Sequence, residues 1–143
     1  MKLLKLLFLF LWQLPQNIIG AICTLNYDKL HPYYTRDGDL VDVYFKKWFR
    51  SGVSLGDIII LDNMYDKDVY DKDVSVKTLY NTIYHEHGHQ RQSRILGPLY
   101  LILIGIPSLL GNLVFRLFKI NSKYYYKQPW EWWADKLGGV VRE

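Results

Sequence analysis

The feature that most constrains the fold is a helical pattern between Ser75 and Gly97-Pro98. Ser75 is a favourable N-cap residue, and a glycine followed by a proline ends a helix. Between them, apolar side chains recur at spacings of three and four, which places them in one stripe along a helix: Val76, Leu79, Tyr80, Ile83 and Tyr84. We predict a helix from Ser75 to about Leu96, against which the rest of a 143-residue, single-domain chain must pack.

The second half of this helix contains the run His85-Glu86-His87-Gly88-His89, which holds three of the chain's four histidines. Residues four apart share a helix face, so the imidazoles of His85 and His89 can reach one metal ion. Glu86 is offset by about 100° and can lean over the same ion without binding it. Neutral imidazoles suit zinc, and Glu86 would take a proton from a zinc-activated water and pass it to the leaving amine. The alternative is a polar helix face that carries surface histidines.

The two residues inside this motif have different expected roles. His87 points about 200° away from His85 and is not expected to bind the metal. Gly88 leaves room on the helix flank for the close approach of another element, such as one that carries a third ligand.

A catalytic zinc ion needs a third protein ligand, and Glu131 is the best candidate. It lies early in a short helix predicted between Pro129, a typical first helical residue, and Gly138-Gly139, just past the end. Asp135 follows one turn later on the same face and can accept a hydrogen bond from the second ring nitrogen of a zinc-bound histidine. For Asp135 the alternative is a salt bridge with Lys136 or a solvated face.

Residues 26–62 have the pattern of a small sheet. Asp39–Phe45 alternates roughly between polar and apolar residues, and Asp57–Leu61 is a β-branched run, so both are predicted strands. Arg50–Gly56 carries turn signals, and the pentad repeat at Tyr65–Val74 is predicted to be a solvated loop. The predicted fold class is therefore α+β, with a small sheet that precedes the His-Glu helix.

Two apolar segments flank this part of the chain, at residues 1–25 and 99–118. In the first, Pro15-Gln16-Asn17 separates a Leu- and Phe-rich block from a second apolar block. A cleaved signal peptide, one transmembrane helix, and two short helices that enter the membrane or pack on a partner are the three interpretations. Ala21-Ile22-Cys23 is a poor cleavage site, so we favour membrane association by one of the last two routes. A buried core element is the alternative.

The second apolar segment limits how the chain can sit in a membrane. Lysines near the start favour an N-terminus on the inside. If both segments crossed the bilayer once, Glu131 and the histidines would lie on opposite sides and could not share a metal ion. Interruptions at Gly105, Pro107 and Gly111-Asn112 favour a helical hairpin or an interfacial element at residues 99–118. A wholly soluble protein also satisfies this constraint, but a small domain must then cover most of those side chains.

The composition excludes two other classes of protein. A single cysteine, Cys23, excludes a disulfide framework and a cysteine-based zinc finger. The net charge of +4 is scattered along the chain, without a dense basic block interleaved with stacking aromatic residues. Nucleic acid is therefore not an expected partner.

The two motifs His85-Glu86-His87-Gly88-His89 and Glu131-Trp132-Trp133-Ala134-Asp135 together resemble a known family. They are similar to the H-E-x-G-H … E-x-x-A-D pattern of gluzincin metallopeptidases. In character the chain is most similar to the membrane-embedded family that includes the CaaX-prenyl protease and the bacterial inner-membrane heat-shock protease. The resemblance implies one Zn²⁺ bound by His85, His89 and Glu131, with Glu86 as base and Asp135 in support.

Two functional positions stay open in the sequence. The histidine or arginine that usually steadies the oxyanion in this family is not identifiable, and Tyr124, Tyr125, Tyr126 or His31 could donate there. His31, in a loop-like His31-Pro32 pair, is also the second candidate for the third ligand.

We therefore expect an apolar, membrane-associating segment at residues 1–25 and a zincin-like metallopeptidase domain at residues 26–143, with an apolar helical hairpin at 99–118. The expected partners are a peptide or protein substrate and membrane lipid, and the strand at Asp57–Leu61 could bind substrate by strand addition. One alternative is a non-catalytic module, stabilised by zinc, that binds a membrane or a partner. Another is a domain that works within a larger secreted or toxin-type assembly.

Overall fold

The structure, a computed structural model, describes residues 1–47, 51–66 and 75–142. Six α-helices and one four-stranded sheet lie within these ranges, so the α+β fold class predicted from the sequence is confirmed. The helices are α1 (Lys2–Trp12), α2 (Leu14–Cys23), α3 (Val76–Leu96), α4 (Ile106–Leu117), α5 (Ser122–Tyr125) and α6 (Pro129–Gly138). The strands are β1 (Lys29–Tyr34), β2 (Leu40–Lys46), β3 (Gly52–Leu55) and β4 (Ile58–Asp62). Most of the predicted pentad-repeat loop lies outside the described residues.

The sheet is mixed, with its strands in the order β1-β2-β4-β3. β1 and β3 run antiparallel to their neighbours, whereas β2 and β4 are parallel to each other. β2 and β4 correspond to the two strands predicted from the sequence. Of the turn predicted at Arg50–Gly56, Arg50 lies outside the described residues. Residues 52–55 form β3, which pairs with β4 across the two-residue turn Gly56-Asp57. Gly56 has a φ of 65°, which favours glycine in such turns.

The core forms where α3 packs against the sheet. Its buried cluster draws apolar side chains from β2, β4 and α3: Val41, Val43, Phe45, Ile59, Leu61, Leu79 and Ile83. Fully burying one such side chain contributes about 1.5–3 kcal/mol. Val76 is 53% exposed, so the buried stripe of α3 begins one turn later than the spacing predicts.

Both ends of α3 lie where the sequence predicts them. The hydroxyl of Ser75 accepts a hydrogen bond from the backbone N–H of Thr78 at 3.1 Å, which caps the N-terminus. Gly97 follows the last helical residue with a φ of 56°. A Cβ atom on Gly97 would lie 2.2 Å from Cε2 of Trp12, so this position also lets the end of α1 pack closely.

The bend between α1 and α2 attaches the N-terminal segment to the domain. The two helices meet at 78°, and Gln13 and Gln16 at the bend are completely buried. Nε2 of Gln16 donates to Oγ of Ser93 at 2.9 Å and to the carbonyl oxygen of Gly97 at 2.8 Å. No residue of the described helix α1 is buried. The polar residues therefore face the protein, while the leucines and phenylalanines face outward.

The second apolar segment differs from its prediction. Residues 101–117 form one helical run in place of a hairpin, with a π-helical turn at Leu101–Gly105 that leads directly into α4. Pro107 is the second residue of α4 and follows the π-helical turn directly. Among the described residues, no single helix combines the length and the apolar character needed to cross a membrane; by length and composition alone, the bent pair of α1 and α2 could.

Candidate metal centre

α6 crosses α3 in direct contact at two glycines. A Cβ atom on Gly88 would lie 1.9 Å from the carbonyl oxygen of Ala134, and one on Gly138 would lie 1.8 Å from the carbonyl oxygen of Tyr84. Both distances are far inside van der Waals contact, so neither position accepts a side chain at this helix spacing. The expectation that Gly88 admits another element is confirmed, and that element is the helix that carries the predicted third ligand.

Three side chains converge between these helices. Nε2 of His85 lies 3.0 Å from Oε2 of Glu131, and Nε2 of His89 lies 3.3 Å from the same oxygen. One possible ligand atom from each residue lies within 4.8 Å of the others, and all three residues are buried. This buried group, which we call the metal triad, could hold a metal ion.

The second ring nitrogen of each triad histidine is held by a hydrogen-bond acceptor. Nδ1 of His85 donates to Oδ1 of Asp135 at 2.7 Å, and Nδ1 of His89 donates to Oε1 of Gln92 at 2.7 Å. The Gln92 amide cannot be reversed, because its Nε2 donates to the carbonyl oxygen of Trp130 at 2.7 Å. Both Nδ1 atoms therefore carry a hydrogen, so the Nε2 lone pairs of the neutral rings point at the triad carboxylate.

This geometry is unfavourable without a cation. Two imidazole lone pairs face one carboxylate oxygen at 3.0 and 3.3 Å, and burial removes the water that would screen them. A proton on Nε2 or a metal ion among the three groups relieves the repulsion. The donor set of two imidazoles in a defined tautomer and one carboxylate fits zinc.

The shifted pKa values of His85 and Glu131 also indicate that the triad favours a positive charge. Burial lowers the pKa of His85, but its hydrogen bonds to Asp135 and Glu131 outweigh burial and raise that pKa to about 9. Burial raises the pKa of Glu131, but its hydrogen bonds with His85 and His89 hold that pKa well below the usual range. The metal-free triad therefore holds a proton at neutral pH. A bound metal ion would displace that proton.

Three neighbouring tyrosines were candidates to donate at the site, and their positions differ. The hydroxyl of Tyr125 donates to Oε1 of Glu131 at 2.8 Å, so it is engaged with the triad itself. Tyr124 is 57% exposed. The ring of Tyr126 lies edge-on to the ring of His85, with centroids 5.3 Å apart. Burial raises the pKa of Tyr126 to about 12, so its hydroxyl keeps its proton and can donate.

Glu86 lies beside the triad and is buried. Its carboxylate packs against β3, where a Cβ atom on Gly52 would lie 2.6 Å from Oε1 of Glu86. Gly52 therefore provides the space that the carboxylate occupies. Burial raises the pKa of Glu86, and the two triad histidines partly oppose this effect. A carboxyl group with a raised pKa holds a proton more readily than an exposed one.

Asp135 is also bound by Arg142. Nη2 of Arg142 donates to Oδ1 of Asp135 at 2.9 Å, and Nε donates to Oδ2. The guanidinium group also lies over the ring of Tyr126, 3.3 Å from its centroid. Lys136, the alternative partner of Asp135, lies over an aromatic ring of its own helix instead. Asp135 thus makes the predicted hydrogen bond with His85 and a bidentate ion pair as well.

The other two histidines lie outside the metal triad. Nδ1 of His87 is 3.0 Å from Oε1 of Gln90, and its Nε2 is 3.6 Å from Oδ2 of Asp39. His31 lies in β1, not in a loop, and β1 is at the opposite edge of the sheet from β3. His31 is therefore not the third member of the group, a position that Glu131 occupies.

The sequence patterns do not indicate three features that support the site: the side chains of Gln92 and Arg142, and the contact of Tyr125 with the triad. Gln92 follows His89 by three residues, which is a visible signal, but Gln90 stands in the same relation to His87. Spacing therefore does not choose between the two glutamines. The contacts of Tyr125 and Arg142 depend on how α5 and the C-terminal residues fold back onto α3 and α6, for which no local signal exists.

Comparison of the chain with protein-family models, with curated proteins and with solved structures finds no match. The resemblance to gluzincins therefore depends on the two motifs. The functional interpretation depends on the geometry of the metal triad.

Proposed function

We propose that this protein is a zinc-dependent metallopeptidase with a zincin-like fold, in which His85, His89 and Glu131 bind the metal and Glu86 is the general base. The direction of the imidazoles is the observation that supports this most. Both Nδ1 atoms donate hydrogen bonds, so the Nε2 atoms of the neutral rings carry lone pairs, and both point at one carboxylate oxygen.

A zinc ion bound by the triad would polarise a peptide carbonyl and lower the pKa of a water molecule. Glu86 takes the proton of the attacking water on its carboxylate and returns it to the leaving amine. Asp135 and Gln92 hold the imidazoles in the tautomer that presents Nε2. Tyr126, whose ring contacts that of His85, would donate a hydrogen bond to the developing oxyanion.

An extended peptide substrate adds to β3 in this proposal. The prediction that substrate adds to the strand at Asp57–Leu61 is wrong. This strand is β4, which is paired with β2 on one side and with β3 on the other and so has no free edge. β3 is at the edge of the sheet formed by the described strands, and its Gly52 contacts Glu86. A peptide that pairs with β3 brings its backbone close to the general base.

Membrane association is the second part of the proposal. Large apolar side chains of α1 and of the helix at 101–117 are exposed: Leu3, Leu4, Leu7, Phe8, Leu11, Ile102, Leu103, Ile106, Leu109, Leu110, Leu113 and Leu117. The polar residues Gln13 and Gln16 are buried instead, which reverses the usual arrangement of a soluble protein and supports an interaction surface here. Lys2 and Lys5 beside this surface favour anionic headgroups.

The burial of the triad favours a second candidate function. His85 is 6% exposed, His89 4% and Glu131 0%, whereas a catalytic zinc site keeps an open position for water and substrate. In the alternative, zinc has a structural role and holds α3 and α6 together in a non-catalytic membrane-binding or partner-binding module. Chelation would then unfold the protein.

Glu86→Gln distinguishes the two functions. The purified full-length chain in detergent is assayed for zinc by mass spectrometry and for cleavage of a fluorogenic peptide library. For a peptidase we expect the variant to keep its zinc while cleavage falls by about 10²- to 10⁴-fold. Undiminished cleavage by the variant would exclude Glu86 as the base. Zinc in both proteins with cleavage by neither, and unfolding on addition of EDTA, would favour the structural role.

A further inference from the structure

Tyr125 connects the metal triad to the apolar helix α4. Its hydroxyl oxygen lies 2.8 Å from Oε1 of Glu131, 2.9 Å from Oγ of Ser108 and 3.2 Å from the carbonyl oxygen of Ser108. Glu131 is completely buried and Tyr125 is 8% exposed. A single hydroxyl on the short helix α5 therefore bridges a triad carboxylate and a residue of α4.

The direction of the hydrogen bonds follows from the number of protons. The Tyr125 hydroxyl has one proton to donate. Ionised Glu131 is both the nearest acceptor and a charged one, and charged acceptors form the stronger hydrogen bonds. Oγ of Ser108 then donates to the oxygen of Tyr125, which completes a chain from α4 to the carboxylate. Each bond in such a chain polarises and strengthens the next.

The ring of Tyr125 is also a contact surface for α4. Phe115 packs edge-on against it, with ring centroids 5.7 Å apart. A Cβ atom on Gly111 would lie 3.4 Å from Cε2 of Tyr125, so the helix backbone passes directly over the ring. No residue of the described helix α4 is buried. The contacts with Tyr125 are therefore prominent among those that hold α4 on the domain.

We propose that Tyr125 is a positioning residue for Glu131, and that Ser108 orients its hydroxyl, so that the placement of α4 controls the zinc affinity of the triad. The inference rests on the proposed function only in taking Glu131 as a zinc ligand, and it does not require peptidase activity. Without the hydroxyl, Oε1 of Glu131 is left buried and unpaired. The carboxylate can then turn away from the two Nε2 atoms.

Tyr125→Phe tests this role, because it keeps the ring that packs on α4 and removes the hydroxyl alone. Zinc affinity of the full-length chain in detergent micelles is measured by competition with a fluorescent chelator. We expect affinity to fall by about 10- to 100-fold, and the visible spectrum of the Co²⁺-loaded protein to shift because the carboxylate geometry changes. Tyr124→Phe is the matched control, since Tyr124 is exposed on the same helix, and should change neither.

Ser108→Ala separates the hydrogen-bond chain from a simple loss of packing. Alone, it should weaken zinc binding less than Tyr125→Phe. Added to Tyr125→Phe, it should have no further effect, because Ser108 acts through the missing hydroxyl. Additive losses from the two variants would overturn the chain. If Tyr125→Phe does not fold by circular dichroism, Ser108→Ala alone decides, and unchanged zinc affinity overturns the inference.

The inference and the proposed function fail in different ways. A folded Tyr125→Phe variant with the affinity and Co²⁺ spectrum of the wild type overturns the positioning role and leaves the proposed function intact. Wild-type protein that binds no zinc overturns both.

Discussion

Two faces of α3 carry the same local arrangement of residues but differ in what they can hold. On each face a buried histidine is followed three residues later by a glutamine whose side-chain oxygen contacts Nδ1. The distance is 2.7 Å for His89 and Gln92 and 3.0 Å for His87 and Gln90. Local sequence therefore prepares both imidazoles in the same way.

The difference lies in what the rest of the chain brings opposite each imidazole. His89 faces the carboxylate of Glu131, which is completely buried, whereas the carboxylate nearest to His87 belongs to Asp39, whose side chain is 56% exposed. Burial lowers the pKa of His87. Burial also lowers the pKa of His85, but hydrogen bonds to two carboxylates raise it to about 9. A carboxylate screened by water attracts a cation more weakly than a buried one.

The largest effect that we expect compares His89→Ala with His87→Ala. Removing His89 deletes one of the three proposed ligands, so the purified protein should lose nearly all of the zinc that we expect it to bind. Removing His87 should leave the zinc content unchanged, because its imidazole faces away from the triad. Metal analysis by mass spectrometry after gel filtration measures both. Equal loss of zinc from the two variants, with both folded, would remove the distinction between the faces.

The second effect compares the two glutamines, Gln92→Ala and Gln90→Ala. Gln92 fixes the tautomer of a triad histidine, so its loss should weaken zinc binding by about 10- to 100-fold. Loss of Gln90 should not alter zinc affinity. Competition with a chelator measures the affinities. A Gln92→Ala variant that binds zinc as tightly as the wild type would show that its hydrogen bond does not prepare the ligand.

The smallest effect concerns the pH dependence of the metal-free protein. The pKa of His85 is raised to about 9 in the fold from about 6.5 in the unfolded chain. The stability that its proton contributes is therefore complete below pH ~6.5 and is lost as the pH rises through ~9. His87 has the opposite sign: its lowered pKa makes the fold lose stability as the pH falls below ~6.5.

Denaturant unfolding in EDTA measures this dependence. We expect the free energy of unfolding to fall by an amount on the order of 1–3 kcal/mol between pH ~6.5 and ~9. Added zinc should abolish the loss, because the ion replaces the proton on the triad. Constant stability across this range without metal would mean that the triad holds no proton.

The prediction of the fold succeeded where local rules apply. α3 begins after Ser75 and ends before Gly97 because an N-cap hydroxyl and a glycine act on their own backbone neighbours. It failed where pairing partners decide. Residues 52–55 lie within a stretch that carries turn signals, but they form β3 because they pair with β4. Residues 101–117 contain helix-interrupting residues but remain one helical run, in which Pro107 directly follows a π-helical turn.

The site divides in the same way. The shared face of His85 and His89 follows from the period of a helix, and the candidate Glu131 follows from its motif. Two predictions were wrong: that His31 lies in a loop, and that substrate adds to the strand at Asp57–Leu61. The positions of β1 and β4 within the sheet are set by pairing with other strands, which local sequence does not show. The bridge through Tyr125 likewise depends on the packing of α5 against α4.

By itself, the sequence determined which residues can bind a cation: the four-residue spacing, the helix caps and the glycine that admits a second helix are properties of a chain and its immediate neighbours. Only the tertiary structure decided that the carboxylate facing His89 is completely buried, while the one near His87 is exposed. The reason is electrostatic. The interaction between two charges is stronger where water is excluded. Water is excluded by the packing of the whole molecule and not by any one segment of it.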